Sequence, residues 1–144
     1  MTHASSSIFK KLLGFAGPVT AGARAWRVIL VLLVACIAVL ALMPSPPPDA
    51  STGWDKLNHL LAFGSLAFAA TMGSSASRTR QAWMLLALLG FGALIELLQL
   101  HVPGRSAEWA DLLADAIGIV CGAAAARCLQ GAAAAVTVVE AGKN

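Results

Sequence analysis

Two apolar runs, one from Trp83 to Leu100 and one from near Glu108 to Leu129, are joined by the short stretch His101-Val-Pro-Gly-Arg105-Ser-Ala. At 1.5 Å per residue each run is long enough to cross hydrocarbon about 30 Å thick. The stretch therefore reads as a tight turn between two membrane helices, with Pro103-Gly104 at its bend. Acids stand just inside both helix ends: Glu96 before the turn, and Glu108, Asp111 and Asp115 after it. Carboxylates near hydrocarbon are costly, and an ionisable residue in a membrane segment marks a functional site by default.

The rest of the chain fits the same solvent. Of 144 residues, 58% are hydrophobic and 12% charged, and the mean hydropathy is +0.77. Soluble domains carry about a quarter charged residues. A single integral membrane domain is implied. Cys36, Cys121 and Cys128 all lie in apolar runs, with no CxxC, so neither a disulfide framework nor a zinc knuckle is indicated.

In chain order, residues 1–25 form a basic N-terminal segment. Ile8, Phe9, Leu12 and Leu13 share one helical face flanked by Lys10 and Lys11, which suits a helix lying on the membrane, with an unstructured basic tail as the alternative. The four-helix transmembrane domain occupies 26–130. Trp26 to Met43 is its first span, with Trp26 and Arg27 at the interface; a cleaved signal peptide is the rival reading. Pro44-Ser-Pro-Pro-Pro ends that helix. The second opens at Asp55-Lys-Leu-Asn-His59 and runs to about Met72, with Asp55 and His59 four apart on one face. Gly73 to Arg80 reads as a polar, basic loop. On the third helix Gly92, Glu96 and Gln99 form one stripe. On the fourth, Asp111, Asp115, Gly118 and Gly122 form another, with Ile119 off it; Gly118-x-x-x-Gly122 is a close-packing pattern between membrane helices. The alanine-rich segment 131–144 either extends this helix or frays.

The expected fold is thus all-α: an up-and-down four-helix transmembrane bundle. Its charges are sorted. Lys10, Lys11, Arg24, Arg27, Arg78, Arg80, Arg127 and Lys143 fall in segments whose only acid is Glu140. Asp49, Asp55, Glu96, Glu108, Asp111 and Asp115 fall in the others, with only Lys56 and Arg105 as bases. The positive-inside rule places both termini in the cytoplasm, and the polar end outside, which in a Gram-negative cell is the periplasm. A reporter that is active only in the periplasm should accordingly work when inserted near Ser51 and fail near Ser75. The opposite pattern would reverse this orientation.

Asp55-Lys56-x-x-His59, then Glu96-Leu-Leu-Gln99, then Pro103-Gly104-Arg105, then Asp111 ahead of Gly118 and Gly122, resemble in order and spacing the VanZ-like membrane proteins. The match runs from about Trp54 to Gly122. The resemblance implies a small multi-helix protein of the bacterial cytoplasmic (inner) membrane. The family's namesake is linked to low-level resistance to teicoplanin, a glycopeptide that binds cell-wall precursors. The residues that carry over are Asp55, Lys56, His59, Glu96, Gln99, Arg105 and Asp111. One position departs: Asp115 stands where the family usually has Asn, adding a carboxylate.

Three functional readings follow. In the first, the charges only pair and lock helix ends together; intramembrane polar contacts average about 0.6 kcal/mol, a weak motive for so many. In the second, Lys56 and Arg105 hold the phosphate of an envelope lipid or lipid-linked wall precursor, beside Asp55, His59, Glu96, Gln99, Asp111 and Asp115. In the third, His59, Glu96 and Asp111 catalyse a reaction on a lipid phosphate by acid–base chemistry. His59, Glu96, Asp111 and Asp115 are residue types that also ligate metals, but the spacing matches no zinc signature, and HExxH, GxSxG and P-loop motifs are lacking. The sequence assigns no cofactor and no metal, and nothing in it supports nucleic-acid binding. The membrane is the expected partner, and a lipid-linked phosphate the expected ligand.

Overall fold

The computed structural model describes residues 22–44, 54–74 and 77–141. The segment around Ile8 to Leu13, the proline-rich stretch from Ser45 through Asp49, and Lys143 lie outside the described residues. Four helices follow one another: α1 (Ala23–Leu42), α2 (Trp54–Met72), α3 (Arg78–Gln99) and α4 (Trp109–Ala141). Among the described residues there is no strand. Three of the helices, α1, α3 and α4, are long and apolar enough to cross a membrane.

The connections run up and down, as contacts between helix ends show. The start of α1 meets the end of α2, where Arg27 Nε donates to the Gly73 carbonyl at 3.0 Å. The end of α1 meets the end of α3, where Gln99 Nε2 donates to the Ala41 carbonyl at 3.0 Å. The starts of α2 and α4 meet through Lys56 and Glu108. Helices leave their last carbonyls without intrahelical partners. Here side chains from neighbouring elements supply those donors: Arg27 and Gln130 for α2, Gln99 and Arg105 for α1.

α2 alone of the four falls short of the combined length and apolarity of a membrane span, and it is well enclosed. Phe63, Leu66, Ala67, Ala69, Ala70 and Thr71 are almost fully buried. A helix sheathed by α1, α3 and α4 need not present apolar side chains to lipid, which is why its composition falls short of a bare span. Its most extensive partner is α4. The seam is made of glycine: Gly64 of α2 stands against Gly118 and Gly122 of α4. A Cβ built on Gly118 would collide with the Leu60 carbonyl oxygen, and one on Gly122 with the Gly64 carbonyl oxygen. Small residues let two membrane helices approach until their backbones touch.

Three details differ from the sequence expectation, and one alternative that it left open is decided. Arg78 and Arg80 belong to the first turn of α3, not to the loop before it. Basic residues there oppose the helix dipole, but both are exposed, and a helix entering hydrocarbon must begin its hydrogen-bond ladder before the apolar stretch starts. The alanine-rich segment continues α4 as helix to Ala141, as a run of the best helix formers would. Trp26 is not an interfacial anchor: it is 8% exposed and packs edge-on against Phe68, centroids 5.5 Å apart. Trp83 and Trp109, by contrast, are exposed. Ile119, off the small-residue stripe, is buried all the same, because both α2 and α3 pack on α4 and widen its covered face.

Candidate functional site

All eight polar residues singled out by the sequence stand at one end of the bundle. The deepest is Asp115, 0% exposed, one turn beyond Asp111 on α4. Its Oδ1 is 2.9 Å from His59 Nδ1 of α2. The glycine seam makes this reach possible, since with α2 and α4 in backbone contact the two short side chains meet between them. Asp115 Oδ2 packs against Gly92 of α3, where a Cβ would collide with it. Gly92 thus earns its place in the Gly92–Glu96–Gln99 stripe by leaving room for a carboxylate.

On the other side of the His59 ring, Nε2 lies 3.8 Å from Glu96 Oε1, a charge-pair separation without a hydrogen bond. The other Glu96 oxygen, Oε2, accepts the backbone N–H of Glu108 at 2.9 Å. Glu96 therefore ties the end of α3 to the residue before α4, near a helix N-terminus where negative charge is favoured. The intervening turn is closed by the Arg105 N–H donating to the Val102 carbonyl at 3.1 Å. Gly104 takes φ 78° in it. Proline followed by a positive-φ glycine is the type II pattern, and it aims Arg105 back toward the bundle.

The two bases are already engaged. Lys56 Nζ is 2.8 Å from Glu108 Oε2 and 3.5 Å from Asp111 Oδ1. Its hydrogen bond, and then its charge, hold the Glu108 carboxyl below the usual carboxylate range. Arg105 Nη1 is 3.7 Å from Asp55 Oδ1, while its Nε and Nη2 donate to the carbonyls of Met43 and Leu40, each at 3.4 Å. Arg105 thus pairs with Asp55 and not with Glu108 or Asp111, the acids nearer to it in sequence. Gln99, also buried, donates to α1 rather than facing an open space.

Among the described residues, three buried carboxylate oxygens make no hydrogen bond: Glu96 Oε1, Asp111 Oδ1 and Asp115 Oδ2. Such atoms are few in folded proteins and call for an explanation. Asp55, His59 and Asp111 each offer a ligand atom, and these atoms lie within 4.8 Å of one another. Beside them a groove of about 440 Å³ opens between α1, α2 and α3. Ile37, Leu40, Ala41, Leu61 and Ala62 give it an apolar wall, and Asp55, Asn58, His59 and Arg105 a polar end. Asn58 was not singled out by the sequence, although it follows Asp55 by three and shares its helical face. Gly64 was also missed; a lone glycine midway along an apolar helix was its signal.

Comparison with curated proteins and with solved structures returns no match. A family model does match: that of VanZ/LLP1, over residues 8–130. This covers most of the chain, including all four helices up to the start of the alanine-rich extension and every polar residue described above. The chain is a membrane protein of the VanZ/LLP1 family.

Proposed function

We propose that this protein binds an amphiphile of the cell envelope, an envelope lipid or a lipid-linked wall precursor, in the groove between α1, α2 and α3, at the outer face of a bacterial inner membrane. The observation that carries this reading is the groove itself, in which an apolar wall passes directly into the polar end formed by Asp55, Asn58, His59 and Arg105. Ligand sites are typically apolar clefts of ~300–1,000 Å³ with a few convergent polar groups. Arg105 is the cation of that polar end. Its carbonyl contacts, at 3.4 Å, are long; a phosphate accepts shorter, charge-assisted bonds from the guanidinium fork. Lys56 is turned toward α4 and plays a lesser part than its charge alone suggests. Sequestering or altering a wall precursor would change susceptibility to glycopeptides of the teicoplanin type.

The test is binding of a polyprenyl diphosphate to the purified full-length chain in lipid nanodiscs. Arg105→Lys, which keeps the charge and loses the fork, should weaken binding about tenfold or more. Leu40→Trp, which fills the apolar wall, should weaken it comparably. If both variants bind as tightly as the parent, the groove is not the site. One arm of the same experiment addresses catalysis. His59 is held by Asp115 at 2.9 Å and faces Glu96, an acid–base arrangement. Turnover of the bound diphosphate that disappears in His59→Gln, with binding kept, would make the protein an enzyme. Binding without turnover leaves it a binding protein.

A further inference from the structure

We infer that Asp55, His59 and Asp111 form a site for one divalent transition-metal ion of the zinc and manganese class. The donor set is one imidazole and two carboxylates, with ligand atoms within 4.8 Å of one another. Ligands of a single zinc ion lie about 2 Å from it, hence roughly 3.3–4.2 Å apart, so side-chain rotations of less than about an ångström close the set. An imidazole among carboxylates selects against calcium and magnesium, which prefer all-oxygen sites. Three protein ligands also leave a coordination position open, and Asp55 and His59 line the groove, so that position faces the groove's polar end.

Geometry and orphaned atoms point to the same place. Asp55 and His59 are a turn apart on α2, and Asp111 comes from α4. The backbone-contact seam between those helices fixes their spacing before any ion arrives. Asp111 is 2% exposed, and its Oδ1 makes no hydrogen bond. The nearest base, Lys56, stands 3.5 Å from that oxygen and gives its short contact to Glu108 instead. Glu96 Oε1, equally without a hydrogen bond, lies beside His59 Nε2. The cluster as a whole sets Asp55, Glu96, Glu108, Asp111 and Asp115 against only Lys56 and Arg105, an excess of negative charge that a divalent ion offsets.

Asp115 completes the arrangement without touching the ion. A carboxylate 2.9 Å from Nδ1 fixes the ring proton there and leaves Nε2 as the ligating nitrogen. This carboxylate–histidine–metal order is the usual second layer around ligating histidines. Asp115 is therefore a positioning residue.

The inference goes beyond the lipid reading and does not depend on it, so it is tested without lipid. The full-length protein, purified in mild detergent and stripped with a chelator, is titrated with Zn²⁺ by calorimetry and with Mn²⁺ by electron paramagnetic resonance. One ion per chain is expected. Asp111→Asn and His59→Gln should each weaken binding about 100-fold or more. Asp115→Asn should weaken it about 10- to 100-fold while keeping one ion per chain. His101→Gln, which removes an exposed histidine outside the cluster, should change nothing. Asp55 is half exposed, so Asp55→Asn folds even if a buried substitution does not, and it should weaken binding as Asp111→Asn does. Less than one ion per chain in the parent, parental affinity in Asp55→Asn, or loss of binding in His101→Gln would each overturn the site.

Discussion

Gly122→Ala is expected to abolish recovery of folded protein, although it adds a single methyl group. That methyl would occupy the position of the Gly64 carbonyl oxygen on α2, and the obstacle is backbone, which cannot rotate out of the way. Overpacking a rigid site costs about 1–3 kcal/mol, occasionally more. Here two helices must separate along their whole seam, so the upper end of that range or beyond applies. Gly118→Ala meets the Leu60 carbonyl and should behave alike. The matched controls are Gly90→Ala and Gly131→Ala, where an added Cβ meets nothing within 4 Å. Both should fold as well as the parent or slightly better, since alanine is the better helix former by about 1 kcal/mol. The readout is the fraction of monodisperse protein recovered in mild detergent. Equal recovery of all four variants would mean that α2 and α4 do not pack through this seam.

Glu96→Gln is expected to do the reverse: fold normally and lose activity in the cell. Glutamine retains an oxygen that can accept the Glu108 N–H, the contact tying α3 to α4 at 2.9 Å. What it removes is the negative charge 3.8 Å from His59 Nε2. If the polar end serves only to hold helices together, this exchange is nearly silent, because an amide keeps the one hydrogen bond that Glu96 makes. If the polar end handles a ligand, the exchange removes a charge from its centre. Envelope-antibiotic susceptibility of a deletion strain complemented with the variant separates the two, with an expected loss of complementation of about tenfold or more in inhibitory concentration. Full complementation by a well-folded Glu96→Gln protein would reduce the cluster to a frame.

Much of this arrangement was legible from spacing alone. Helical period placed Glu96, Gln99, Asp111 and Asp115 on inward faces, and all four are buried. Up-and-down connectivity then brought their helix ends to the ends of α1 and α2. What spacing cannot supply is partner choice. Glu108 and Asp111 were equally available to Arg105 by sequence, yet the type II turn delivers the guanidinium to Asp55 and the α1 carbonyls. Nor does a helical period reveal how many neighbours a helix has. Ile119 reads as lying outside the stripe when α4 has one partner, and it is buried because α4 has two. Trp26 misled for a related reason: a tryptophan at the start of a span suits the interface, but here Phe68 of α2 offers it a ring to pack against.

The contrast between the glycine seam and α1 has a consequence for how such a protein can diversify. α2 and α4 touch through backbone, and no side chain other than hydrogen fits at Gly118 or Gly122, so descendants that keep this bundle must keep those positions. The end of α1 is fastened differently, by side-chain donors reaching the main-chain carbonyls of Leu40, Ala41 and Met43. A carbonyl is the same whatever residue carries it. At this end, beside the groove's apolar wall, those contacts are indifferent to the helix's own sequence, whereas its start is held by the Trp26 and Arg27 side chains. Leu40, exposed and outside the packed core, is free to drift in size and shape while the attachment survives, so changes in ligand preference between lineages should accumulate there, on a frame that stays fixed.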